Sequence, residues 1–146
     1  MDWKQEAETK LLQYVARQQA LTSIPEEIAR LELDYNGLRA SSPGDVHVTG
    51  GSEDRREDAM LSNIVRRQEL RRQLESAQRW IALTDGGLSA LNDEERLVLD
   101  RFYIHRRKGA CEQLCEELDR EKAQVYRRRE KALRRFTLAL YGGLES

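Results

Sequence analysis

Apolar residues recur every three or four positions along most of the chain, the period of helices with one dry side. Trp3, Ala7, Leu11, Tyr14 and Val15 share one face of a helix expected from Trp3 to Leu21. Ser23 and Glu26 have the form of a capping box, and Pro25 would lose no hydrogen bond in a first turn. A second helix is therefore expected from about Ile24. Its apolar residues Ile24, Ile28, Leu31, Tyr35 and Leu38 step alternately by four and three. That is the a/d spacing of a helix lying along another helix, so 1–39 is read as an antiparallel helical hairpin.

The period then stops. Residues 40–52, "ASSPGDVHVTGGS", are rich in Gly and Ser and read as a flexible linker. Val46 and Val48 alone give a strand nothing to pair with. A long helix follows within 53–87, with Met60, Leu70, Leu74, Ala77 and Ile81 in a/d register. Asn63 and Arg67 occupy seam positions between them, so the seam is imperfect in its first half, which is expected to be more exposed or to pair in an oligomer. Gly86-Gly87 is expected to end the helix, because glycine tolerates a left-handed cap.

From residue 88 the pattern tightens. Asn92 with Glu95 forms another capping box, opening a helix through Leu97, Val98, Leu99 and Phe102. A short helix, Ala110 to Leu118, carries Ala110, Cys111, Leu114, Cys115 and Leu118 along one side. A turn at Asp119–Arg120 leads into a basic helix from Glu121 to about Tyr141. The fold class is all-α: an N-terminal helical hairpin, a long helix, and a three-helix unit over 88–146 with the plan of a helix-turn-helix.

Composition supports this reading. Hydrophobic residues are 39% and charged residues 35%, with two Pro and two Phe, which suits helices with thin apolar stripes rather than sheets. No apolar run approaches the length of a membrane span, and the acidic start MDWKQEAE is unlike a secretory signal. A cytoplasmic protein is expected.

Charge changes the picture more. The net charge is −1, yet residues 1–58 hold 7 basic and 12 acidic side chains, whereas 120–146 hold 8 and 3. Such asymmetry points to an anionic partner for the C-terminal end. "VYRRREKALRRF", 125–136, concentrates it. At 100° per residue, Val125, Ala132, Leu133, Phe136 and Leu140 form an apolar stripe, and Arg127, Arg128, Lys131, Arg134 and Arg135 form a basic arc that no carboxylate interrupts. Like charges at i,i+4 repel by a few tenths of a kcal/mol, and phosphate relieves that repulsion. Arg129 falls inside the apolar stripe, where it needs a carboxylate partner or a path to the rim.

Residues 91–136 resemble region four of bacterial primary sigma factors, and still more the phage transcriptional regulators of the RinA and ArpU type. The resemblance is carried by Leu91, Glu95-Arg96, Val98-Leu99, Phe102-Tyr103-Ile104, Glu112, Leu114 to Leu118, Val125-Tyr126-Arg127 and Lys131-Ala132-Leu133. It implies a phage or prophage regulator in a bacterial cytoplasm, binding double-stranded DNA through a helix-turn-helix. Lys122, Ala123, Tyr126 and Arg127 align with groove-facing positions. Arg128, Lys131, Arg134 and Arg135 continue the basic arc toward phosphate. Host RNA polymerase and self-association through the N-terminal helices are the further partners expected. Asp119 stands where the sigma pattern has a turn glycine, Arg120 and Arg128 where it has apolar residues, and Glu121 where it has a Ser or Thr cap. A complete sigma factor is not expected, since the first 90 residues lack an aromatic-rich promoter-melting segment.

Two other functions fit the sequence: a helical packaging or scaffold protein of the small-terminase kind, and an arginine-rich RNA-binding protein. Catalysis is not expected. There is no phosphate-cradling glycine loop, no HExxH and no Ser or Cys nucleophile beside a histidine. No cofactor motif is present. Cys111 and Cys115 read as apolar fillers, since His47 and His105 are not at zinc-site spacing.

Overall fold

A computed structural model describes residues 2–40 and 51–142. Among them are six α-helices, one π-helical segment and no strand: α1 (Trp3–Leu12), α2 (Tyr14–Ala40), α3 (Gly51–Ser89), α4 (Asp93–Leu99), the π-helical segment Asp100–Ile104, α5 (Ala110–Leu118) and α6 (Lys122–Tyr141). No helix among the described residues is long and apolar enough to cross a membrane. Two compact units divide the chain, Met1–Gln18 with Arg79–Ser146, and Gln19–Gln78.

The helix start expected at Ile24 is absent. α2 runs unbroken from Tyr14 to Ala40 with Pro25 inside it. The proline ring removes one i→i−4 bond, at a cost of about 3 kcal/mol. The half-buried row Leu21, Ile24, Ile28, Leu31, Tyr35 and Leu38 offsets that cost, being interrupted if the chain turned at Ser23. The interruption lies earlier, at Gln13, whose backbone stays right-handed (φ −90°, ψ −3°). Its N–H reaches Thr9 O at 3.1 Å and its carbonyl accepts from Arg17 N at 3.0 Å, so the chain does not fold back there. The hairpin expected over 1–39 therefore does not form.

Within Gln19–Gln78 it is α2 and α3 that run antiparallel. Arg56 donates to the carbonyls of Leu38 and Arg39, Asn63 to that of Leu31, and Arg71 pairs with Glu32. Asn63 and Arg67 lie on the seam, as their register predicts. Asn63 is buried, its Nδ2 2.8 Å from Leu31 O and its Oδ1 accepting from Arg67 Nε at 2.8 Å. The Arg67 guanidinium lies 4.9 Å from the Tyr35 ring centroid. Polar groups satisfied in this way let the seam continue where apolar residues fail. Most of the 40–52 linker, residues 41–50 with His47, lies outside the described residues; Ala40 closes α2 and Gly51 opens α3.

α3 does not stop at Gly86-Gly87 but continues to Ser89. Gly87 serves packing rather than capping. A Cβ there would stand 2.9 Å from Leu140 Cδ2 and 3.1 Å from the Phe136 ring, so its absence lets α3 and α6 approach closely.

The capping box at Asn92 forms as expected, with Asn92 Oδ1 accepting from Glu95 N at 2.8 Å and Glu95 Oε1 from Asn92 N at 3.2 Å. One extra residue enters at Asp100–Ile104, where His105 N bonds Asp100 O at 2.7 Å, five residues back. Tyr103 thereby joins the main core: Ala7 and Leu11 of α1, Leu91, Leu99, and Ala132, Leu133 and Phe136 of α6. A second cluster joins Val98, Cys111, Leu114 and Val125. Cys111 is buried and Cys115 half-buried, both unpaired thiols within or against that cluster.

Candidate nucleic-acid interface

α6 owes its position to two faces. Val125, Ala132, Leu133, Phe136 and Thr137 are buried, so the helix is clamped along one side. Its start is set by the turn after α5. Asp119 adopts the left-handed conformation (φ 51°, ψ 53°), and Arg120 N donates to Cys115 O at 3.1 Å, closing α5 in the manner of a glycine cap. Aspartate is one of the few residues with a side chain that visits this region. Glu121 is the N-cap in extended conformation, its N–H donating to Gln124 Oε1 at 3.3 Å.

The basic arc is divided by carboxylates from elsewhere in the chain. Glu94 Oε1 on α4 accepts from Arg120 Nε at 2.9 Å and lies 3.8 Å from Arg128 Nε. Glu95 is 1% exposed, and its Oε1 accepts from Arg135 Nη1 at 3.0 Å. Arg128 and Arg135 thus tie α6 to the start of α4, whose own first turn favours those carboxylates electrostatically. Glu130 pairs with Lys4 of α1. The expectation of an uninterrupted arc is corrected by these tertiary pairs.

What remains is a narrower stripe. Ala123, Arg127, Lys131 and Arg134 are exposed and lie within about 80° of one another around the helix. Arg127, Lys131 and Arg134 form no ion pair among the described residues; Arg127 Nε donates at 3.4 Å to the Ala123 carbonyl. Lys122 is exposed but lies about 100° or more off this stripe, and Tyr126 is half-buried, 6.0 Å between ring centroids from Phe102. Of the eight positions picked from sequence, four form the free stripe, two are in ion pairs, and two stand apart. Leu138 and Tyr141, 45% and 48% exposed, extend the stripe toward the C-terminus.

Arg129 finds no carboxylate. Its guanidinium lies 4.9 Å from the centroids of both Phe102 and Tyr126, a cation–π position that suits its planar, weakly hydrated charge. Its Nε is buried without a hydrogen-bond partner. Burial raises the pKa of the nearby Tyr103 hydroxyl, Arg129 acts against that rise, and the Glu8 carboxylate adds to it. The Glu8 carboxylate stands beside Tyr103 Oη without closing a hydrogen bond to it. No group of three or more His, Cys, Asp or Glu among the described residues could hold a metal ion.

Sequence reasoning missed Glu94 and Glu95 as the residues that orient α6, and α1 as part of its support. The capping box flagged Glu95, but only as a local cap. Compared with known proteins, the chain matches no family, no curated protein and no solved structure.

Proposed function

We propose that this chain is a sequence-specific DNA-binding regulator of transcription, of phage or prophage origin, whose α5–turn–α6 segment works as a helix-turn-helix on duplex DNA. The observation that carries this reading is the exposed stripe Ala123, Arg127, Lys131 and Arg134. It holds three cations without a carboxylate partner on a helix whose Arg128 and Arg135 are held by carboxylates of α4. A folded protein gains nothing from such like-charge crowding, and backbone phosphate would relieve it. The left-handed turn at Asp119 supports the reading, because it redirects the chain between a short helix and a longer basic one. The acidic residues on α4 play the orienting part.

Ala123 and Arg127 lie nearest the N-terminus of α6, the end that enters a major groove first, and are assigned to base edges. Lys131 and Arg134 are assigned to phosphate. Self-association through the N-terminal helices and contact with host polymerase belong to the same proposal.

Selection of bound duplexes from a random pool, at stated salt, tests it. A recovered motif is expected. Arg127→Ala should then cost about 1–3 kcal/mol of discrimination. Lys131→Ala should keep the discrimination and lower the salt slope by about 1. If no motif emerges and both variants bind duplex as the parent does at low salt, the stripe is an ordinary solvated face.

A further inference from the structure

A cleft of about 390 Å³ opens between α1, the π-helical segment, the first turn of α5 and the first half of α6. Its chemistry differs from that of the exposed stripe. Arg129 stands about 160° around α6 from both Arg127 and Lys131, so the cleft and the stripe occupy opposite sides of the helix.

Three features of the cleft converge on a negative ligand. The N-terminus of α5 borders it. That nine-residue helix begins after Gly109, which is left-handed (φ 78°) and supplies no side-chain cap. Its first N–H groups and positive dipole end are therefore open to an anion. Positive side chains come from two elements: Arg106 and Arg107, exposed and without ion pairs among the described residues, and Arg129 with its buried, unpartnered Nε. Tyr103, 6% exposed, also lines the cleft, and its Oη has no hydrogen-bond partner. Two buried donors without acceptors at one site are uncommon in a folded protein and call for an explanation.

Glu8 and Glu112 line the same cleft. Glu112 is exposed, with Oε2 3.8 Å from where a Cβ on Gly109 would stand, so it sits near the mouth of the helix end and is free to turn to solvent. Three guanidinium groups and the helix end outweigh the two carboxylates, leaving room for added negative charge.

We infer that this cleft is a seat for an oxyanion of the phosphate class, with Arg129 and Tyr103 donating from its inner wall, the α5 N–H groups from one side, and Arg106 and Arg107 at the rim. The oxyanion is carried by a phosphate-bearing small molecule or by a nucleic-acid backbone. A small molecule fits the cleft's place opposite the stripe, where it would act as an effector.

The test uses the full chain and inorganic phosphate, with chloride at matched ionic strength as control. Saturable shifts are expected in the amide resonances of Cys111 and Glu112 and in the Arg129 Nε–H resonance, together with a phosphate-dependent rise in melting temperature. Tyr103→Phe should melt in chloride at least as high as the parent, since it removes an unpartnered buried hydroxyl, yet bind phosphate about tenfold more weakly. The exposed double variant Arg106→Gln/Arg107→Gln should also weaken binding without lowering the chloride melt. No saturable shift at these groups, an equal response to chloride, or parent-like phosphate binding by both variants would overturn the inference. Random-sequence duplex then identifies the source. Displacement of phosphate at Arg129 assigns the seat to backbone phosphate, and simultaneous binding assigns it to a small molecule.

Discussion

The unit Gln19–Gln78 and the unit of Met1–Gln18 with Arg79–Ser146 are both helical, yet they bury their apolar side chains in different ways. In the second, Ala7, Leu11, Val98, Leu99, Leu114, Val125, Ala132, Leu133 and Phe136 are all 0% exposed. In the first, only Asn63, Leu70 and Ala77 are buried among the described residues, and Leu33, Leu61 and Val65 are 71%, 60% and 45% exposed. Two antiparallel helices can cover just the row that faces the partner, so the flanks of the seam stay wet. Several helices meeting from different directions enclose side chains on all sides. Specificity has a different source in each. The several-helix core is set by shape, down to a missing Cβ at Gly87. The two-helix seam has little shape to use, and its register is set by polar contacts such as Asn63 to the Leu31 carbonyl and Arg67 over Tyr35.

The largest expected effect tests that contrast with a single kind of substitution. Leu11→Ala removes a fully buried side chain from the several-helix core and should cost about 2–5 kcal/mol. Leu31→Ala removes a half-buried one from the seam and should cost about 1–2 kcal/mol. Hydrogen exchange of amides within each unit, read separately, gives both values. Equal costs would abolish the distinction between core and seam. Leu11 also bears on domain limits, since a fragment of residues 88–146 would lack Ala7, Leu11 and Ile81 and should melt less cooperatively than the full chain.

A smaller effect of opposite sign separates two adjacent glycines. Gly86 has nothing within 4 Å of a would-be Cβ, so Gly86→Ala should stabilise the helix by about 0.5–1 kcal/mol. Gly87→Ala meets Leu140 and the fully buried Phe136 ring and should cost about 1 kcal/mol net, the helix gain being outweighed by overpacking. Denaturant midpoints decide this. Stabilisation by both substitutions would show that α6 yields at Leu140 and that Gly87 is not needed for close approach.

The smallest effect lies at alkaline pH. Tyr14 Oη donates to Asp85 Oδ1 at 2.6 Å, and that bond, aided by burial, raises its pKa to about 12. Between the ordinary value near 10 and about 12, the folded protein holds a proton that the unfolded chain releases. Stability from this contact is therefore full below about pH 10 and lost as pH rises toward 12. Tyr14→Phe should lower the melting temperature slightly at neutral pH, where the bond is intact, and flatten part of its alkaline fall. An unchanged alkaline slope would show that the bond does not hold the proton.

Much of the fold was legible because its signals are local. The capping box at Asn92 and Glu95, the bounds of α5 and the span of α6 depend on interactions within about four residues, which periodicity and cap chemistry read directly. The apolar and basic faces of α6 were legible for the same reason. Local signals also misled. Ser23-Ile24-Pro25-Glu26 and Gly86-Gly87 have the chemistry of helix ends, yet both lie inside helices, because a continuous packed face outweighed a lost bond or a flexible backbone.

Residue order alone dictates that the chain is helical, where its short C-terminal helices begin and end, and that α6 carries more positive charge than one helix can neutralise. Tertiary structure decided which of those charges remain free. Glu94 and Glu95 lie 26 to 40 residues from the arginines they hold, and α1 reaches α6 across more than a hundred residues, at Lys4 and Glu130. Contacts at such separations depend on how apolar faces pack, and no spacing rule along the chain encodes them.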